Sequence, residues 1–132
     1  LNMFMYDPKH KKKLPYYDTF PLVLPLEKYS DGFLGINMHY LPIPLRIKLL
    51  DRLVDFSNNT KFDESTRLIV DYSKLKNIKL IKPTLHRYLA GHTKSDFRRI
   101  DADEFTIATL LPVQRFKKES EKTVWSDSRG MI

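Results

Sequence analysis

The sequence predicts an α+β fold, with a small antiparallel sheet in its N-terminal part covered by three to four helices. Two apolar runs, residues 20–29 and 33–40, flank an Asp-Gly pair, which is the pattern of a β-hairpin. Residues 45–56 carry an apolar stripe of helical period. A length of 132 residues with 42% hydrophobic residues provides one core, so we expect a single domain over residues 1–132.

The predicted hairpin spans residues 20–40 and is the central element of the sheet. Asp31 and Gly32 favour a type I′ turn, because this turn needs positive φ at both central residues. Pro21 and Pro25 place their missing N–H groups on one side of the first strand. That strand is therefore predicted to be an edge strand or to contain a bulge.

Three helices are predicted for the middle of the chain. The first covers residues 45–56, with Arg46 on its polar side. The second covers about residues 63–76. The third is short and lies between Pro83 and Gly91, and it buries three side chains on one face: Leu85, Tyr88 and Leu89.

The last third of the chain is predicted to contain a strand, a helix and a polar tail. Residues 95–100 form the strand, which joins the N-terminal sheet. An Asp-Ala-Asp-Glu capping box at residues 101–104 begins a helix over residues 105–111. From about Lys117 the chain is polar and is expected to extend or fray. Because the first residue is Leu1 rather than Met, the sequence also fits the C-terminal part of a longer protein.

The positive charge is concentrated in one segment. The net charge is +7, from 23 Lys and Arg residues against 16 Asp and Glu. Residues 74–99 hold eight basic residues and one acid, so this segment alone carries the excess. A localised basic segment indicates contact with an anion, whereas a charge run is usually a solvated face. A second basic group at residues 9–13 precedes the aromatic segment 16–20, which we expect to pack in the sheet rather than stack on bases.

These two basic groups favour binding to nucleic acid or another polyanion. Such binding is dominated by phosphate neutralisation and weakens steeply with salt. No helix-turn-helix, zinc-finger or RNP motif is present, so the backbone or an end is the expected target. The predicted nucleic-acid-binding residues are Lys9, Lys11, Lys12, Lys13, Lys79, Lys82, Arg87, Lys94, Arg98 and Arg99.

No catalytic or metal-binding pattern is visible in the sequence. The chain has no cysteine, which excludes disulfides, thiolate nucleophiles and Cys-based zinc sites. The spacing of the four histidines (His10, His39, His86 and His92) matches no compact metal motif, and acids such as Asp18 fit turns or caps. We predict no catalytic residue, no metal, no cofactor and no small-molecule substrate. The apolar runs fall far short of the roughly 20 residues that cross a membrane.

Three segments of the chain carry a family resemblance. They are residues 5–22 (MYDPKHKKKLPYYDTFPL), residues 29–42 (YSDGFLGINMHYLP) and residues 108–117 (ATLLPVQRFK). They resemble the DNA end protector family of T-even-like contractile-tailed bacteriophages. The resemblance covers about residues 3–127.

The resemblance implies a non-enzymatic virion protein. It implies binding to the double-stranded ends of the packaged genome, which shields them from host exonucleases. It also implies contacts with other phage structural proteins that complete the head before the tail joins, and a location in the virion and, during assembly, in the host cytoplasm. A cationic surface suffices for this role.

Two other functions stay open from the sequence. A structural module of the baseplate, neck or completed head would contact protein only, and the proline-bearing strand and Trp125 in the tail favour it. A small nuclease would need acids around a divalent cation, for which Asp101, Asp103 and Glu104 are the candidates.

Overall fold

The computed structural model describes residues 1–55, 72–75 and 77–132. Its strands are β1 (Asn2–Met3), β2 (Tyr17–Asp18), β3 (Leu22–Tyr29), β4 (Gly32–Asn37), β5 (Leu85–Leu89), β6 (Arg98–Arg99) and β7 (Phe116–Lys117). Its α-helices are α1 (Ile43–Asp55), α2 (Tyr72–Leu75), α3 (Phe105–Leu110) and α4 (Glu121–Met131). Short 3-10 helices occupy Met38–Tyr40, Lys79–Thr84, Ala90–His92 and Ala102–Glu104. The α+β prediction is confirmed.

Five strands form an antiparallel sheet in the order β5-β4-β3-β1-β6. The predicted hairpin is confirmed as β3 and β4, which pair from Val23 opposite Asn37 to the turn. The strand predicted at residues 95–100 does join this sheet, although only β6 is regular, and it pairs with β1. A separate two-stranded sheet pairs β2 with β7.

The hairpin turn differs from the predicted type I′ turn. Tyr29 pairs with Gly32, so the two turn residues are Ser30 and Asp31. Among the described residues, φ is positive only at His10 and Lys118, so neither turn residue has the conformation of a type I′ turn. Gly32 is needed for another reason: a Cβ there would lie 1.9 Å from the carbonyl oxygen of Tyr88 on the neighbouring strand.

The first strand of the hairpin contains the predicted bulge. Its register shifts between Pro25 and Glu27, which confirms a bulge at this proline. It is not a plain edge strand, because β1 pairs with its first two residues. Leu22 and Leu24 face the main core, and Val23 packs in an aromatic cluster on the opposite face. Both faces are therefore covered at this end of β3.

The prediction of a short helix between Pro83 and Gly91 is wrong. Residues 85–89 form β5, which pairs with β4 along its whole length. Pro83 lies inside the preceding 3-10 helix. A run of five residues fits either period, and here the unpaired edge of β4 provides backbone partners for a strand. Tyr88 is buried in the aromatic cluster with Phe4 and Tyr6.

The predicted first helix is confirmed as α1, whose Leu49, Leu50 and Leu53 enter the main core. Most of the second predicted helix, residues 63–76, lies outside the described residues, which contain α2 at its end. No helix of the described segments is long and apolar enough to span a bilayer.

The helix predicted after residues 101–104 is confirmed as α3, but the prediction that these residues form a capping box is wrong. The carboxylate of Asp101 accepts hydrogen bonds from the guanidinium of Arg99 instead of capping the helix. The N–H of Glu104 donates to the backbone carbonyl of Asp101 at 3.0 Å, within a 3-10 turn.

The prediction that the polar tail from about Lys117 extends or frays is also wrong. Its residues form α4, whose N-cap Ser120 accepts a hydrogen bond from the N–H of Thr123. Val124 is fully buried, and the indole Nε1–H of Trp125 donates to the carbonyl oxygen of His39 at 2.9 Å. Burial of Val124, the indole hydrogen bond and a hydrogen bond from Gln114 Nε2 to Glu121 Oε2 therefore attach this helix to the body of the protein.

Candidate nucleic-acid interface

The basic loop at residues 8–13 presents its lysines to solvent. Its four lysine side chains are exposed: Lys9, Lys11, Lys12 and Lys13. The chain reverses at His10, where φ is 58°, and the N–H of Lys13 donates to the His10 carbonyl at 2.9 Å. Asp7 holds Lys11 in an ion pair of 3.0 Å. The loop is thus a folded turn rather than a loose segment.

The end of β7 fixes this loop from a distant part of the chain. The ammonium group of Lys118 donates to the carbonyl oxygens of Lys11 and Leu14, each at 2.6 Å. Lys118 has φ of 74°, a left-handed conformation that turns the chain after β7. Its neighbour Lys117 pairs with Tyr17 of β2. Two further cations are thus placed beside the loop.

We call the exposed cations of the loop and of the end of β7 the lysine-loop surface. Its members are Lys9, Lys11, Lys12, Lys13, Lys117 and Lys118. The sequence reasoning missed the last two. A visible signal existed, because three of the four residues from Arg115 to Lys118 are basic. Their proximity to the loop follows only from the pairing of β2 with β7.

Beneath this surface, Asp18 joins the two strands to the hairpin. Its Oδ1 accepts from the N–H groups of Phe20 and Arg115, at 3.0 and 3.1 Å. Its Oδ2 accepts from Asn37 at 3.0 Å and from His39 at 2.8 Å. The sequence assigned Asp18 to a turn; the bond to the Phe20 N–H is such a turn, but the carboxylate also ties together distant segments.

Burial acts most strongly on the pKa of Asp18 and tends to raise it. The hydrogen bond and electrostatic effect of His39, together with the donors Phe20 N–H and Asn37, outweigh burial, so the pKa of Asp18 is lowered. Asp18 is therefore ionised at neutral pH and accepts all four hydrogen bonds. It follows that Nδ1 of His39 carries the proton.

Arg46 is fully buried, so its predicted place on the polar side of α1 is wrong. Its Nε donates to the Leu41 carbonyl at 2.7 Å, and one terminal nitrogen donates to Gln114 at 3.1 Å. The guanidinium lies 5.5 Å from the ring centroid of Trp125. Burial lowers the pKa of Arg46 to about 10, which still leaves it charged at neutral pH. Arg46 thus fastens the segment before β7, and among the described residues it has no acid within ion-pair distance.

A cavity of about 430 Å³ opens under the basic loop. We call it the loop cavity. Lys9 and Leu14 border it from the loop, and Arg87 borders it from β5. Arg87 forms a 2.6 Å ion pair with Asp31, which also lines the cavity. The structure therefore brings two predicted contact residues, Lys9 and Arg87, to one opening.

Lys94 lies close to the loop as well. Its backbone N–H donates to the carbonyl of Met5 at 2.8 Å. The pKa of the Asp7 carboxyl is lowered, first by the hydrogen bond from Lys11 and then by the charges of Lys11, Lys94 and His92. Lys94 therefore acts in the same electrostatic neighbourhood as the lysine-loop surface.

The other predicted contact residues are not brought to this surface. Arg98 and Arg99 lie on β6, at the edge of the sheet opposite to β5, whose Arg87 borders the loop cavity. Arg99 is also paired with Asp101 at 3.0 Å. Lys79 and Lys82 are exposed on one face of a 3-10 helix, because residues three apart align in that helix. The basic segment 74–99 is thus divided over several parts of the fold.

The histidines and the acids do not form a metal centre among the described residues. The ring of His86 stacks on Tyr40 at 4.1 Å, and its Nε2 lies 3.3 Å from the Pro83 carbonyl. His92 contacts the carbonyl of Asp7 at 2.9 Å. Asp101, one of the acids considered for a divalent cation, forms an ion pair with Arg99 at 3.0 Å.

A family model described as the phage T4 terminal DNA protecting protein matches residues 1–128. No curated protein and no solved structure matches the chain. The matched range contains the lysine-loop surface, the loop cavity and all three segments that resemble DNA end protectors. Because the match covers almost the whole sequence, this chain belongs to the phage T4 terminal DNA protecting protein family.

Proposed function

We propose that this protein binds the ends of the packaged double-stranded genome by its phosphate backbone and shields them without making or breaking bonds. The observation that carries the proposal is the lysine-loop surface, which joins cations from two distant segments on a folded support. The family membership supports DNA termini as the target. The protein then acts in the virion and, during assembly, in the host cytoplasm.

The charge balance of the lysine-loop surface favours phosphate as its ligand. Asp7 is the acid that an ion pair brings to it, through Lys11. In the described residues, Lys12 and Lys13 have no acid within ion-pair distance. A lysine that contacts a phosphate releases condensed counterions, and each such contact contributes about 0.9 to the salt dependence of log K. Lys12 and Lys13 are therefore free to contribute fully.

The anchoring of the loop favours a defined complex over loose adhesion. The ammonium group of Lys118 donates hydrogen bonds to two loop carbonyls. The Asp18 carboxylate then fixes β2 and β7 relative to the hairpin. A pre-organised cationic surface loses less conformational entropy when DNA binds, which favours slow dissociation. Slow dissociation is what shielding an end from an exonuclease requires.

Two charge-reversed double variants test this proposal. Lys12→Glu with Lys13→Glu changes the lysine-loop surface, and Lys79→Glu with Lys82→Glu makes the same change in net charge on the 3-10 helix. Binding to a linear duplex and to a closed circle of the same sequence is measured at several salt concentrations. We expect the first variant to bind about tenfold or more weakly. The slope of log K against log salt concentration should become shallower by about 2.

The wild type should also protect the linear duplex from an exonuclease. Equal affinity for linear and circular DNA would contradict binding at ends, and negligible affinity at low salt would overturn the proposal altogether. If the second variant loses as much as the first, the contact surface is centred elsewhere than on the loop.

Contacts with other phage proteins are a second part of the proposed function. Ile107, Leu110 and Leu111 at α3 are 61%, 47% and 44% exposed, and the first and last of them line a cavity of about 340 Å³. Such an apolar patch favours a protein partner, as expected for a component that helps complete the head. Locating the protein in whole particles tests this. Its presence in tails that never received DNA would favour a purely structural role.

A further inference from the structure

The loop cavity has the size and the lining of a ligand site. Its volume of about 430 Å³ lies within the range of roughly 300–1,000 Å³ that is typical of small-molecule pockets. Three aromatic residues from two strands line it: Tyr17 from β2, and His86 and Tyr88 from β5. Tyr88 is only 4% exposed, whereas Tyr17 and His86 are partly exposed, so these two rings offer the surface on which a nucleobase can stack.

The imidazole in the aromatic lining is uncharged at neutral pH. Burial lowers the pKa of His86 to about 4, so its imidazole is neutral. The ring is held by its stack on Tyr40. Tyr88 is fixed by Phe33, with ring centroids 5.4 Å apart. The His86 and Tyr88 rings are therefore held in place, and this aromatic part of the lining suits a base better than it suits an inorganic ion.

Two cations border the same cavity. Lys9 is exposed on the loop, and the guanidinium of Arg87 is held by Asp31 at 2.6 Å and by the ring of Tyr29 at 4.5 Å. Arg87 contacts Oδ1 of Asp31, and Oδ2 has no hydrogen-bond partner within the described residues, so it can accept from an amino or hydroxyl group. The carboxylate of Asp18 already accepts four hydrogen bonds from the protein, so it is not a group that a ligand would contact. Base, hydroxyl and phosphate could thus each find a complementary group.

We propose that the loop cavity takes the terminal nucleotide of one DNA strand, unpaired from its complement. The base stacks on the aromatic lining, and the 5′-phosphate of that nucleotide lies against Lys9 and Arg87. A terminal base pair is stacked on one side only, so its unpairing is the least costly in a duplex. This inference rests on the proposed function, and it explains how a surface made for phosphates distinguishes an end from internal DNA.

Binding of matched duplexes tests the inference. The probes are short blunt duplexes with 5′-phosphates and the same duplexes with one unpaired nucleotide at the 5′ or the 3′ end. The terminal base is 2-aminopurine, whose emission reports stacking, and an internal 2-aminopurine is the control. We expect about fivefold or more tighter binding for one of the two unpaired ends. The emission of its terminal base should change on binding, whereas the internal base should not respond.

Variants separate the cavity from the surface above it. Tyr17→Leu should remove the preference for the unpaired end, whereas Tyr17→Phe should keep it. Lys12→Glu with Lys13→Glu should weaken both duplexes equally and leave their ratio unchanged. Should Tyr17→Leu fail to fold, competition on the wild type replaces it: a deoxynucleoside 5′-monophosphate should displace the unpaired duplex at concentrations where inorganic phosphate does not.

The outcomes distinguish this inference from the proposed function. A wild type that binds blunt and unpaired ends equally, with no change in terminal emission, overturns the cavity assignment and leaves end binding intact. An unchanged preference in Tyr17→Leu overturns it as well. If no duplex binds at low salt, the proposed function fails and the inference fails with it.

Discussion

Asp18 and His39 are joined by a hydrogen bond of 2.8 Å between Oδ2 and Nδ1, with both residues at most 4% exposed. This bond connects β2 to the segment that ends the hairpin. Through the Arg115 N–H, the same carboxylate also holds the chain that leads into β7. The support of the lysine-loop surface therefore depends on one buried carboxylate.

We expect Asp18→Asn to lower the free energy of unfolding by about 3 kcal/mol at pH 7, because an amide oxygen cannot replace four acceptor positions. Urea unfolding followed by circular dichroism measures the change. The exposed Asp96→Asn is the control and should leave stability within about 0.5 kcal/mol. Since the folded pKa of Asp18 is lowered, the contribution is present above about pH 4 and is lost as the pH falls through the folded pKa.

The ammonium of Lys118 should hold the basic loop in place. Lys118→Met keeps the length of the side chain and removes the donors to Lys11 and Leu14. We expect faster hydrogen exchange at the Lys13 N–H and a change in global stability of only about 1 kcal/mol. The loss of DNA affinity should exceed that of Lys122→Met, an exposed lysine on α4 that loses the same charge. Equal losses would mean that Lys118 contributes its charge alone.

His86 should make the protein less stable in mild acid. Its folded pKa is about 4, against an unfolded value of about 6.5. Between these values the unfolded chain binds more protons, so stability falls as the pH falls from 6.5 towards 4. The loss should be on the order of 2 kcal/mol. In His86→Phe, which keeps an aromatic ring on Tyr40, this part of the pH dependence should vanish. The exposed His10→Asn should retain the wild-type profile, because Asn tolerates the positive φ at this position.

The parts of the fold that local patterns decide were predictable from the sequence. The hairpin and α1 follow from periodicity over neighbouring residues, and the bulge follows from Pro25. The strand β5 was missed because five residues carry too little periodic signal, and the free edge of the distant β4 decides their conformation. Helix α4 was missed because its attachment depends on the carbonyl of His39, far away in sequence.

The candidate site also contains residues that local sequence patterns identify and residues that only distant contacts bring in. Lys9, Lys12 and Lys13 could be identified as exposed cations from their local run. The contribution of Lys118 could not, since its contact with Lys11 joins residues 107 positions apart. The basic segment 74–99 was read as one surface because its residues adjoin in sequence. In the structure, the antiparallel order of the sheet sends Arg87 and Arg98 to opposite edges.

Gly32 should be intolerant of any side chain, and Gly91 offers a matched control. A Cβ at position 32 would lie 1.9 Å from the carbonyl oxygen of Tyr88, a backbone atom that can move only if β5 shifts away from β4. We expect Gly32→Ala to lower the free energy of unfolding by about 2 kcal/mol or more. Gly91→Ala meets no atom within 4 Å and has no positive φ, so it should be neutral or stabilise by about 0.5 kcal/mol. Denaturant unfolding of both variants decides the matter. Because a shifted β5 would also move Arg87 at the loop cavity, Gly32→Ala should reduce binding to DNA ends, whereas Gly91→Ala should not.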